Sequence, residues 1–214
     1  MPAPEPPLDT PFAVLAGAHC APYDEMLTAI EREFRAVDRK ALADELDRLA
    51  RPLFGVTRLP TRERSLALAA AAYEALPEDG SGPSSWLLSR ALEDGRAVPP
   101  VRAVLAVELA RRAGVSARPA RLRGCWLVGI HDGGVPLGAD VGPDDASTGW
   151  DTCSGCLCGH EMAFLVLDGL ATAWQAAGDG ERARRAAGLR LLLPLSAGLR
   201  AAVHTDMARF KITR

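Results

Sequence analysis

The sequence predicts an α+β fold, and three observations carry that expectation. Helical spacing of apolar residues runs from Asp24 to Gly114, alternation takes over across residues 118–130, and helical spacing returns from about residue 160. The stretch around which these parts are arranged is Pro99 to Gly114, PPVRAVLAVELARRAG. Apolar residues fill almost every position from Val101 to Leu109, too many for a single stripe, so this helix is expected to be wrapped by the rest of the fold. Pro99 or Pro100 suits a first helical turn, Gly114 a left-handed C-terminal position, and Arg111 and Arg112 the negative end of the helix dipole.

In chain order, the proline-rich opening MPAPEPPLDTP reads as a flexible tail, with a disordered or extended segment expected over residues 1–22. Asp24 is placed to cap a helix carrying Leu27, Ile30, Phe34 and Val37, and Asp38 to cap a second with Leu42, Leu46, Leu49 and Leu53 on one face. Pro52 and Gly55 end that helix. Thr61 opens a third helix, stopped by the Pro77–Pro83 loop, and a short fourth from about Ser84 to Glu93 closes on Gly95. Residues 118–130 then read as one half-buried strand. Leu122, Trp126, Val128 and Ile130 lie on one side of it, Arg121, Arg123 and Cys125 on the other. Asp132-Gly133-Gly134 is a tight-turn signal, and Val135–Val141 reads as the returning strand. After a loop rich in Gly, Asp and Cys, helices are expected over 160–177 and 180–193, with one more short helix near the end.

Composition narrows the functional classes. An apolar content of 48%, a charged content of 24% and a net charge of -2 are ordinary for a soluble domain and give no reason to expect nucleic acid or an anionic membrane as partner. No apolar run reaches transmembrane length and no signal-peptide pattern opens the chain, so a cytoplasmic location is expected. Five cysteines, three of them within residues 153–158, do not read as a secreted disulfide framework.

Gly114-Val115-Ser116-Ala117-Arg118 follows an alanine-rich helix, and a strand and a second strand ending in Asp come next. This arrangement resembles the transglutaminase-like (papain-like) fold. Val98-Pro99, Glu108-Leu109-Ala110-Arg111-Arg112-Ala113-Gly114, Gly124-Cys125-Trp126-Leu127-Val128 and Ala139-Asp140 are similar, in order, to the core segments of the SirB1 family. The last helices, around Ala176-Ala177-Gly178-Asp179, resemble that family's tetratricopeptide-like tail, shortened to a hairpin. The resemblance implies a domain over 23–158 with a helical hairpin over 159–214 packed on it. It places Pro99 at the superfamily's nucleophile position and Cys125 at the histidine position, and leaves Asp140 as the one surviving triad residue. A triad needs a base to activate the nucleophile and a carboxylate to orient the base. One member of three cannot do this, so the resemblance implies a pseudo-transglutaminase that binds a protein or small-molecule partner in the degenerate cleft.

Two local features keep other readings open. Cys125 is a candidate relocated nucleophile, with Arg121 and Arg123 on its side of the strand to lower its pKa, or else an inert cysteine filling the vacated histidine position. With it stands the alternative of a cysteine-dependent acyl-transfer or amide-processing enzyme. Cys153, Cys156, Cys158 and His160 contain a Cys-x-x-Cys spacing that suits tetrahedral zinc, which makes a zinc-stabilised accessory protein a further alternative. A Cys153–Cys156 redox pair and an unligated loop are its rivals. His160-Glu161 lacks the second histidine of a zinc-protease helix, because Ala163 and Phe164 follow it.

Overall fold

Pro99–Arg112 is a helix buried on every side: each residue from Pro100 to Ala110 is inaccessible to solvent or nearly so. The computed structural model describes residues 12–19, 21–122, 125–130, 137–140 and 157–209. The chain divides into two units, Val37–Cys158 and Met1–Ala36 together with Gly159–Arg214. Secondary structure is helix-rich with two small sheets, an α+β composition.

The Val37–Cys158 unit opens with α3 (Arg39–Ala50); α1 and α2 belong to the other unit. Asp38 caps α3 by accepting the Ala41 N–H at 3.0 Å, while Leu42 and Leu46 face inward. After two short 3-10 turns come α4 (Thr61–Ala75), β1 (Glu78–Asp79), a 3-10 turn at Pro83–Trp86, α5 (Leu88–Asp94), β2 (Arg96–Ala97) and α6 (Pro99–Arg112). Gly95 closes α5 in the left-handed region, and β1 pairs in parallel with β2 just before α6 begins. Val98 N–H donates to the Ser85 carbonyl (3.1 Å), fixing the approach to α6. Gly114, at φ 76°, closes α6 in a Schellman motif: its N–H meets the Arg111 carbonyl and the Val115 N–H meets that of Ala110.

β3 (Ala117–Leu122), β4 (Cys125–Ile130) and β5 (Leu137–Asp140) form an antiparallel sheet with β4 in the middle. α6 packs on β3 and β4, and α4 packs on α6, β4 and β5. The expectation of a single half-buried strand over 118–130 is corrected here. Leu122 pairs with Cys125, so the segment is a hairpin, and Trp126 to Ile130 are all buried. The run WLVGI is continuously apolar, which is what a strand covered on both faces requires.

The other unit holds α1 (Phe12–Gly17), α2 (Tyr23–Arg32), α7 (Gly159–Ala176), α8 (Gly180–Leu189), a 3-10 turn at Arg190–Leu192 and α9 (Ala197–Arg209). Phe12, Leu15 and Ala16 are buried, so residues 12–17 of the expected tail are a helix. The units divide between Cys158 and Gly159, and residues 23–36 group with the C-terminal helices, where α2 packs on α7. Pro22 stands at the α2 N-cap in place of the expected Asp24. Gly159 opens α7 against the Ala21 carbonyl, which a Cβ at that position would approach to 2.5 Å. Gly178 (φ 81°) ends α7, and Asp179 then caps α8 through the Arg182 N–H. Among the described residues no helix is long and apolar enough to cross a membrane.

The buried face of α6 also carries charge. Arg102 is fully buried and donates from Nε to the Leu76 carbonyl (3.0 Å). Its Nη2 donates to the Glu78 carbonyl (3.3 Å) and to Asp79 Oδ1 (2.9 Å), and the guanidinium lies 5.0 Å from the Tyr73 ring centroid. Asp79 is 63% exposed, so water screens that pairing and the carbonyl bonds carry most of the stabilisation. Leu105→Ala is expected to cost about 2–5 kcal/mol and Arg102→Leu about 2–4 kcal/mol, while Asp79→Asn costs less than about 1 kcal/mol. Urea denaturation of the three variants measures this order; equal losses for Arg102→Leu and Asp79→Asn would contradict it.

Candidate functional site

The α6 N-terminus is where the resemblance places a nucleophile, and the residue there is Pro99, at the first helical position after the extended Val98. A proline at that position needs no hydrogen-bond partner and has no group that attacks a carbonyl. Further along the helix, the buried Glu108 carboxylate accepts from Arg111 Nε (2.9 Å) and Arg112 Nη1 (3.0 Å). Arg112 in turn reaches Asp47 on α3 (2.8 Å). These groups link α6 to its neighbours.

Cys125 is the first residue of β4, and it is exposed. The hairpin changes its surroundings from those the sequence implies. In a continuous strand Arg121 and Cys125 share a face. Here Arg121 stands opposite Trp126 with its guanidinium 5.8 Å from the indole, and Cys125 stands opposite Leu122. Cross-strand partners share a face and successive residues alternate, so Arg121 and Cys125 lie on opposite faces of the sheet. The expected electrostatic activation by Arg121 is therefore corrected; Arg123 lies outside the described residues. Asp140 ends β5 and pairs in register with Leu127, two residues along β4 from Cys125. The only histidine in the Val37–Cys158 sequence is His131, which lies outside the described residues.

Of the cysteine-rich set, Cys153 and Cys156 lie outside the described residues. Cys158 is exposed and follows Leu157, whose N–H donates to the Pro119 carbonyl on β3 (2.8 Å). His160 is the second residue of α7, with a buried Nε2 that has no partner among the described residues. No group of three or more His, Cys, Asp or Glu residues gathers as a metal site among the described residues.

The structure adds a feature that sequence spacing does not show. A cleft of about 640 Å³ lies between the end of α2 and the start of α8. Arg182, Arg184 and Arg185 line it together with Glu33, Asp179 and Glu181, so its formal charges cancel. Arg185 pairs with Glu33 (2.7 Å), Arg182 stacks 4.7 Å over Trp174 and sits 3.6 Å from Asp179, and Phe34 lies 6.4 Å from Trp174. This is a polar, charge-balanced surface with an aromatic wall and no nucleophile among its lining residues.

No family model, curated protein or solved structure matches the chain.

The register of the hairpin has a chemical consequence. Alkylation of Cys125 in the native protein, followed by peptide mapping, is expected to change by less than about twofold in Arg121→Ala, because the guanidinium is on the other face. A tenfold slowing would show that Arg121 activates the thiol.

Proposed function

We propose that the chain is a SirB1-like pseudo-transglutaminase of the cytoplasm, non-catalytic, that binds a protein or small-molecule partner. The observation that carries this reading is Pro99 at the first position of a helix whose side chains from Pro100 to Ala110 are buried. The order of α6, then β4 bearing Cys125, then β5 bearing Asp140 supports the resemblance. The partition of Cys125 and Arg121 between the two faces of the sheet speaks against Cys125 as a replacement nucleophile activated by that arginine.

The test is turnover by the purified full chain on glutamine-amide and peptide-amide substrates. The expected result is none above the uncatalysed rate. Turnover lost in Cys125→Ser would instead favour the acyl-transfer enzyme.

A zinc-stabilised accessory protein is the second reading, favoured by the buried Nε2 of His160, which has no partner among the described residues. A neutral imidazole nitrogen is a common metal ligand, and Cys153, Cys156 and Cys158 would supply thiolates to complete a closed structural site. On this reading the purified protein carries about one zinc per chain, and a chelator lowers its thermal midpoint. Cys156→Ser loses the metal and Cys20→Ser keeps it. Metal-free protein whose stability ignores chelator would remove this reading.

A further inference from the structure

α9 is held unlike the other long helices of its unit. α7 buries Met162, Ala163, Val166, Leu167, Leu170 and Ala171, whereas from Ala197 to Thr205 α9 buries Val203 alone. Leu199 is 40% exposed, and Asp206 and Met207 are half-buried. A 13-residue helix is marginal in water by itself, and Gly198 in its first turn weakens it further. Ser196 caps α9, its Oγ accepting the Leu199 N–H at 3.3 Å, and Pro194 separates it from the preceding 3-10 turn. Docking on α8 must therefore hold α9 in place, and little apolar surface is available for that.

Beneath α9 lies Arg190, 1% exposed. Its Nη1 donates to Asp168 of α7 and sits 4.0 Å from Asp206 Oδ2 of α9, and its guanidinium is 5.7 Å from the Phe164 ring centroid. Its Nη2 is buried without a partner among the described residues.

We propose that α9 is a displaceable strap that leaves α8 and Arg190 as one unit while α7 and α8 stay folded. Val203 and Met207, whose Cε lies 3.8 Å from where a Cβ of Gly188 would stand, are its apolar attachments, and Asp206 is its charged one. Release takes the Asp206 carboxylate away from the Arg190 guanidinium.

Hydrogen–deuterium exchange on the full chain, read peptide by peptide, tests this. Amides across 201–207 should exchange at least about 100-fold faster than those across 163–173, because they open sub-globally. Val203→Ala should speed α9 by about a further tenfold and leave α7 unchanged. Equal protection of α9 and α7 would overturn the proposal. So would a Val203→Ala variant that exchanges like the parent, speeds both helices alike or fails to fold.

Discussion

The guanidinium of Arg102 is the constraint on which the Val37–Cys158 unit depends. α6 has no exposed face along most of its length, so every polar group on it must find its partner inside the unit. Arg102 does so by taking the carbonyls of Leu76 and Glu78, at the point where α4 has ended and β1 begins. Those carbonyls lie where the chain leaves regular helix, and a planar fork with several donors can satisfy more than one of them at once. The bonds therefore tie α4, β1 and α6 together across 26 and 24 residues of sequence.

The same solution recurs, with consequences for function. Glu108 holds Arg111 and Arg112 at the far end of α6, and Arg112 carries the link to Asp47 on α3. In the other unit Arg190 joins α7 through Asp168. Each ionised side chain buried in this way has an opposite charge or a carbonyl within reach, as burial demands. On α6 this leaves no polar side chain for chemistry near the helix start, where Pro99 and Pro100 stand. Most of this helix organises the core.

The sequence made the central helix legible because an apolar run bounded by Pro99-Pro100 and Gly114 has one simple reading, and Asp38 was legible as a cap because Leu42, Leu46, Leu49 and Leu53 follow it at helical spacing. The hairpin between Leu122 and Cys125 was not. Arg121, Arg123 and Cys125 continue the strand's alternation through the reversal, so periodicity alone hides it. The helix at Phe12–Gly17 was concealed by the prolines before it, since its helicity rests on burying Phe12 and Leu15. Arg102 and Glu108 read as breaks in an apolar surface because their partners are set by tertiary packing. The cleft was beyond local reading for the same reason: its Glu33–Arg185 pair joins residues 152 apart. For the candidate site, sequence named Pro99, Cys125 and Asp140 in order along the chain, but the faces on which Arg121 and Cys125 lie follow from register.

The most direct measurement of the central claim is the stability of Arg102→Lys. Lysine keeps the charge and much of the length but replaces the planar fork with a single ammonium. If the fork's bonds to Leu76 and Glu78 hold the unit together, equilibrium urea unfolding should show a loss of about 2 kcal/mol or more with the denaturant dependence unchanged. A midpoint equal to that of the parent protein would mean that positive charge alone suffices at this position, and would contradict the account.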